Sequence, residues 1–252
     1  MKIATYNIWN KNVLFEERLT ALCEVIDKIN ADIICLQEIR NDGNINIVEI
    51  IANYANYPFF IFREYPDCTD EGLAILSKFE FHDTMSIWET DTDISNYCAI
   101  RSTINYNGTF IGVTNVHLNW RSEEIRMSQL NAVNSWINME TNNKNYEIIC
   151  GDFNDVPESN IHNFLIDSGW KDAVESTREK DIAHYSTFDL VNNPYLKDDI
   201  RVKDRLRFDW IMINKLDNDT EFNLKEVNIF GNKPLKSNII PSDHYGLYID
   251  IK

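Results

Sequence analysis

The chain has 252 residues, 44% hydrophobic and 25% charged, with only 8 Gly and 6 Pro. That is the make-up of a folded globular domain, and it excludes long disordered linkers. Its 24 basic and 40 acidic residues give a formal net charge of −16, which argues against a protein that holds long nucleic acid on a broad basic surface.

Residues 2–8 read as a short buried strand. From Glu16 to Ile29, the positions of Leu19, Leu22, Val25, Ile26 and Ile29 trace one helical face, and Asn30 can end that helix. Ala31–Leu36 is a compact apolar strand. A second helix is expected over Asn44–Ala55, with Ile47, Ile50 and Ile51 inward. The character then changes to short runs rich in β-branched and aromatic residues: Tyr57–Phe62, Leu73–Ser77, Thr84–Trp88, Tyr97–Asn105 and Phe110–Leu118. Asn107-Gly108 between the last two is a two-residue hairpin signal. Helical spacing returns over Ser122–Met139 through Ile125, Leu130, Val133 and Ile137. Tyr146–Cys150 is a strand, and Ile161–Ser168 a short helix. Residues 171–205 read as a long, irregular loop of the kind that often carries function. Leu206–Ile213, Leu224–Ile229 and His244–Ile251 complete the strands.

Strands outnumber helices without regular alternation, which points to two sheets packed face to face with helices outside. One catalytic domain over residues 1–252 is expected. The five cysteines, Cys23, Cys35, Cys68, Cys98 and Cys150, show neither Cys-x-x-Cys nor metal-ligand spacing. Cys35 and Cys150 lie in apolar runs and read as buried thiols. With no signal-peptide pattern and no apolar run of ~18 residues, a cytoplasmic location without a membrane span is expected.

Polar residues at strand ends carry the functional signal. Asn7 follows the first strand and Gln37-Glu38 ends the second. His117 stands in Thr114-Asn115-Val116-His117-Leu118. Asp152 and Asn154 follow the strand ending at Cys150, Asp209 sits inside an apolar run, and Asp243-His244 opens the last strand. Singly, each has a plainer explanation: Asn7 as a strand-end cap, residues 151–154 as a turn, His117 as a satisfied core histidine. Together they call for a shared one, because buried polar groups are costly unless partnered. A hard divalent cation with oxygen ligands, and histidines placed to meet a phosphate, would supply it.

These blocks occur in the order of, and resemble, the signatures of the endonuclease/exonuclease/phosphatase (DNase I-like) superfamily: Ala4-Thr5-Tyr6-Asn7-Ile8, Gln37-Glu38, Asn115-Val116-His117-Leu118, Gly151-Asp152-Phe153-Asn154, Arg207-Phe208-Asp209-Trp210-Ile211 and Ser242-Asp243-His244. The resemblance covers nearly the whole chain. It implies an α/β four-layer α/β/β/α sandwich of two mainly antiparallel sheets, with the site at one edge. It implies Mg²⁺, with Mn²⁺ as a substitute, on Glu38 assisted by Asn7 and Asp243. His117 would contact the phosphate together with Asn7 and Asn154. Asp152 and Asn154 would position the attacking water, and Asp209 would orient the catalytic His244. Glu71 resembles the acidic partner of the first histidine.

The implied reaction is in-line attack of water on phosphorus. Whether Asp152 or His244 takes the proton, and whether one metal or two act, stays open at this level. The acidity favours a small or lipid-like phosphoester over a nucleic acid. A nuclease is the alternative, and a non-catalytic binding module on the same fold is a third reading. Lys203, Arg205 and Arg207 suggest either a phosphate-steering patch or, with Asp204, a solvated loop. Trp9, Trp120 and Tyr195 are candidate substrate flanks.

Overall fold

A computed structural model describes residues 1–41, 43, 46–65, 68–86, 99–139, 144–177, 182–199, 204–216 and 223–252. The amino-terminal half builds most of one sheet. Strands β1 (Lys2–Asn7) and β2 (Ile33–Arg40) run parallel, joined by helix α1 (Phe15–Ile29). Helix α2 (Ile47–Tyr54) leads to β3 (Phe59–Tyr65) and β4 (Cys68–Ser77), which add antiparallel. The second sheet starts with β5 (Phe81–Ser86), β6 (Ala99–Tyr106) and β7 (Thr109–His117). Helix α3 (Glu123–Met139) crosses to β8 (Tyr146–Asp152), parallel to β7, and α4 (Asn160–Asp167) follows. After the short β9 (Lys171–Asp172), β10 (Phe188–Asp189) and β11 (Arg205–Leu206) come β12 (Asp209–Lys215), β13 (Leu224–Phe230) and β14 (Gly246–Ile251).

Two six-stranded sheets result, ordered β13-β14-β1-β2-β4-β3 and β5-β6-β7-β8-β12-β9. Every described pairing except β1/β2 and β7/β8 is antiparallel. Side chains alternate across each strand. On the first sheet Ala4, Tyr6, Ile34 and Leu36 pack outward on α1 and α2 with Leu22, Ile26, Val48 and Ile51. Ile3, Ile33, Cys35, Ile148, Cys150 and Ile211 share the core with the residues that pack α3 and α4, among them Leu130 and Leu165. This is the expected four-layer α/β/β/α sandwich.

Local chemistry agrees with the elements. Asn30 ends α1 in the left-handed region, and the Asn46 and Ser159 side chains cap α2 and α4 by accepting from Glu49 and His162 backbone N–H groups. Asn107 and Gly108 both have positive φ, 51° and 89°, as a hairpin turn between β6 and β7 demands.

Several expectations need correction. Ile50 and Ile125 lie on exposed helix faces rather than inward. The second strand runs on to Arg40. The last strand begins at Gly246, because the Tyr245 N–H donates instead to the Thr187 carbonyl and that of His244 to the Ser242 hydroxyl. β12 begins at Asp209, with only Arg205–Leu206 of the preceding run in a strand, paired to β10. The 171–205 stretch is less irregular than expected: its described part holds β9, β10 and 3₁₀ turns at Ile182–Tyr185 and Pro194–Leu196. Trp88, Tyr97, Cys98 and Lys203 lie outside the described residues. Among the described residues, no helix is long and apolar enough to cross a membrane.

Candidate active site

The stripes of residues facing the other sheet all turn polar at the same end. β1 runs Ile3, Thr5, Asn7; β2 runs Ile33, Cys35, Gln37; β8 runs Ile148, Cys150, Asp152. β7 ends in Asn115 and His117, and antiparallel β12 starts at Asp209. Register does the rest. His117 pairs with Asp152, and Asp152 with Asp209, so three functional side chains stand in one row across β7, β8 and β12. Asn7 pairs with Gln37 on the opposing sheet.

Hydrogen bonds stitch the two rows together. Gln37 Nε2 donates to Asn115 Oδ1 at 2.7 Å, and Asn115 Nδ2 donates to the Leu36 and Ala74 carbonyls. Asn7 Nδ2 donates both to Glu38 Oε1 at 3.0 Å and to Asp152 Oδ2 at 2.9 Å, so one amide nitrogen spans two carboxylates from different sheets. The side chain of Glu38 departs from strand alternation because the β2/β4 register shifts between Leu36 and Ile39, a bulge that leaves Glu38 at φ 56°. Its second oxygen accepts from the Asn10 backbone N–H at 3.0 Å. Trp9 and Asn154 also sit at positive φ, 59° and 51°. Three of the nine non-glycine residues at positive φ among the described residues thus lie at this edge, a backbone state that functional sites often use. Gly151, at φ 145°, lies under the row. A Cβ there would collide with the Val116 carbonyl oxygen, so the close approach of β8 to β7 needs glycine.

Asp152 Oδ2 is the focus. Besides Asn7, it has His117 Nε2 at 3.7 Å and His244 Nε2 at 3.6 Å. Its Oδ1 accepts from the Asn154 N–H at 2.8 Å, while Asn154 Nδ2 donates to the Leu118 carbonyl at 2.9 Å. His244 Nδ1 donates to Asp209 Oδ2 at 2.8 Å, and its ring meets Phe188 edge-on. His117 Nδ1 shares a 2.8 Å hydrogen bond with Tyr65 Oη. Glu71, expected beside this histidine, accepts from Asn10 Nδ2 at 3.1 Å and feels the imidazole through space.

The electrostatics are lopsided. Burial opposes charge on His244, but Asp209 and Asp152 overturn that and hold its pKa up at about 10. Burial pushes Asp243 up to about 7, with Glu38 and Asp152 adding repulsion against the pull of His244. Burial also raises Glu71, again with Glu38 contributing, and raises Asp209 against the pull of its histidine. Asp209 Oδ1 is buried with no hydrogen-bond partner. Carboxylates outnumber cations here, and their donors are hard oxygens. A divalent cation of the Mg²⁺ type fits this set. The ligand atoms of Asp152, Asp209 and His244 also lie within 4.8 Å of one another, but a charged His244 with Nδ1 on Asp209 has no lone pair to offer a metal.

The sequence-expected residues Asn7, Glu38, His117, Asp152, Asn154, Asp209, Asp243 and His244 therefore meet at one edge. Arg207 does not join them: it is buried on Asp172, with Nη2 to Oδ2 at 2.8 Å, and steers nothing. Arg205 is exposed, 3.8 Å from Asp189. Trp9 and Tyr195 pack on each other with ring centroids 4.8 Å apart, and Trp120 is exposed beneath Arg121. Sequence reasoning missed Tyr65, Asn10, Thr187, Asn193 and Arg18. Thr187 Oγ1 accepts the Asp209 N–H, and Asn193 Nδ2 donates to the Ser242 and Asp243 carbonyls. The 171–205 segment thus braces the site from behind.

A cleft of about 450 Å³, lined by Asn10, Lys11, Asn12, Arg40 and Asp70, meets the site through Asn10, whose backbone N–H donates to Glu38.

Comparison with known proteins agrees with this fold. The model of the Endonuclease/Exonuclease/phosphatase family matches residues 4–244. No curated protein matches the sequence. Among solved structures, an endonuclease/exonuclease/phosphatase family protein from Leptotrichia buccalis C-1013-b is similar at 22% identity and TM-score 0.77, covering 100% of this chain and 99% of that one. D. rerio TDP2 complexed with single strand DNA product is similar at 19% identity and TM-score 0.81, covering 100% and 98%. Bacteroides thetaiotaomicron VPI-5482 mannosyl-6-phosphatase Bt3783 is similar at 18% identity and TM-score 0.76, covering 100% and 99%.

Proposed function

Because the chain belongs to the endonuclease/exonuclease/phosphatase family, a family of phosphoester hydrolases, we propose that it is a divalent-metal-dependent hydrolase of a small phosphoester. The observation that carries this reading is the Asn7 amide spanning Glu38 and Asp152, with two histidines facing the same Asp152 oxygen.

Glu38 and Asp243, supported by Asn7, would hold Mg²⁺ or Mn²⁺, which when bound neutralises charge on the phosphoryl group. The remaining groups divide the work. His244 has Nδ1 committed to Asp209 and is held charged, so its Nε2 serves as a proton-bearing donor to a phosphoryl oxygen. His117, fixed by Tyr65, offers Nε2 to the same group. Asp152, oriented by Asn7 and the Asn154 N–H, is left to align the attacking water and take its proton.

The cleft at Asn10 favours a hydroxyl- or charge-bearing leaving group over an acyl chain, since each of its lining residues carries a polar or charged side chain. The net charge of −16 works against long nucleic acid. One fold neighbour is a mannosyl-6-phosphatase, and a sugar phosphate is compatible with such a cleft. A second reading, action on a single-stranded end, has its own support. Trp120 is 59% exposed with the Arg121 guanidinium 4.6 Å from its ring, a surface on which a base could stack, and another neighbour holds a single-strand DNA product. Buried free thiols at Cys23, Cys35 and Cys150 fit a reducing, cytoplasmic setting.

The test is turnover of p-nitrophenyl phosphate, bis-p-nitrophenyl phosphate, sphingomyelin and a single-stranded oligonucleotide with Mg²⁺ or Mn²⁺. Turnover lost in Glu38→Ala and His244→Ala supports the reading. No turnover on any substrate, with metal binding intact, would leave a binding module instead.

A further inference from the structure

Arg18 lies on α1 at a position whose neighbours Leu19 and Leu22 are core residues, and it is fully buried. An apolar side chain would suit that face better, since a buried charge is costly. All five guanidinium N–H donors nevertheless find partners, and every partner is a backbone carbonyl. Nε donates to Val13 at 2.8 Å. Nη2 donates to Trp9 at 3.0 Å and Lys11 at 2.6 Å. Nη1 donates to Ile8 at 3.1 Å and to Pro241 at 3.0 Å.

Those last two carbonyls matter most. Ile8 follows Asn7, whose amide joins Glu38 to Asp152. Pro241 precedes Ser242-Asp243-His244. One nitrogen therefore ties the strand end carrying Asn7 to the loop carrying His244, two segments more than two hundred residues apart in the chain. Other contacts close the same seam. The Ser242 hydroxyl donates to the Asn7 carbonyl at 2.7 Å and accepts the His244 N–H. Tyr195 Oη donates to the Ile240 carbonyl at 2.9 Å while its ring packs on Trp9, over which the Arg18 guanidinium lies at 4.6 Å.

We infer that Arg18 is a positioning residue: its five-way grip on two loops sets the relative placement of Asn7 and the Asp243-His244 pair without touching substrate. Lysine could not replace it, because three donors from a point charge cannot span five carbonyls in a planar fork. The inference rests on the proposed phosphoesterase reading for its kinetic arm only.

The experiment uses the full chain with Arg18→Ala and Arg18→Lys. Hydrogen exchange read by mass spectrometry follows segments 7–13 and 240–246 against β6 and β7 as internal reference. Expected is faster exchange confined to the two segments in Arg18→Ala, restored by millimolar guanidinium, which refills the vacated space. On a substrate the wild type turns over, kcat falls on the order of 100-fold with KM little changed, as for a misplaced catalytic group, and guanidinium recovers part of the loss in Arg18→Ala alone. Arg18→Lys stays impaired. Exchange that rises equally everywhere, a loss guanidinium does not relieve, or failure of both variants to fold would make Arg18 a residue of general stability and overturn the assignment. A wild type without turnover would sink the phosphoesterase reading, yet the exchange arm would still decide this one.

Discussion

Two buried ionic clusters in this molecule share almost the same residue types and differ in one respect, the balance of charge. Beside α4, Asp172 accepts from His162 Nε2 at 3.0 Å, from both terminal nitrogens of Arg207 at 2.8 and 3.2 Å, and from the Val174 N–H. His162 is satisfied at its other nitrogen by the Glu158 N–H. Two carboxylates there, Asp172 and the more exposed Glu175 at 3.6 Å from His162 Nε2, are matched by the Arg207 guanidinium and the imidazole, although Arg207 Nε is left without a partner. At the strand-end edge, Glu38, Glu71, Asp152, Asp209 and Asp243 crowd two histidines and the more distant Arg18, and Asp209 keeps an unpartnered oxygen. Both clusters have ligand atoms close enough to grip a metal. Only the second lacks the cations that would make one unnecessary. On the proposed reading the balanced cluster is architecture and the unbalanced one the site, where the imbalance costs stability until a ligand arrives.

The comparison breaks most sharply under substitution. Glu38→Gln should lower turnover by roughly 10³-fold, equivalent to about 4 kcal/mol of transition-state stabilisation. The metal-free protein should melt at the same temperature or higher, since a mutually repelling carboxylate has gone. Steady-state kinetics and calorimetry on one preparation check both halves. Asp172→Ala should do the reverse. Removing the partner leaves Arg207 buried and unpaired, at a cost of about 3–5 kcal/mol by denaturant unfolding, while turnover per folded molecule holds.

Much of this contrast is legible in the chain. Asn7, Glu38, His117, Asp152, Asp209 and His244 stand out because each interrupts or ends an apolar run, where a polar side chain needs a reason. The layering is legible too, because short strand runs outnumber the helices and do not alternate regularly with them, the pattern of two packed sheets. What stays hidden acts through partners chosen in three dimensions. Tyr65 lies beyond the Tyr57–Phe62 run that reads as a strand, and only the fold, which extends that strand, brings its hydroxyl to His117. Arg18 looks like an ordinary surface helix residue until the Pro241 loop folds over it. Arg207 looks like a phosphate-steering cation because its partner Asp172 lies in the stretch that reads as irregular. The bulge at Glu38 has no signature in residue types at all.

Acidity sharpens the comparison with a smaller effect. Burial alone would raise the carboxyl of Asp172, but the His162 hydrogen bond and Arg207 more than reverse that, and it lies below its ordinary value of 3.8. A carboxyl depressed by folding adds stability that is fully present above its unfolded value and is lost as pH falls through the folded one. Thermal unfolding between about pH 5 and pH 2 should therefore decline more steeply in the wild type than in Asp172→Asn.

Metal binding tests the central claim most directly. In isothermal titration with Mn²⁺, the wild type should bind, Glu38→Gln should bind roughly tenfold or more weakly, and Asp172→Asn should match the wild type. Equal affinity in Glu38→Gln would take the ion away from Glu38, and a loss confined to Asp172→Asn would place it at the balanced cluster; either result contradicts the assignment of the site.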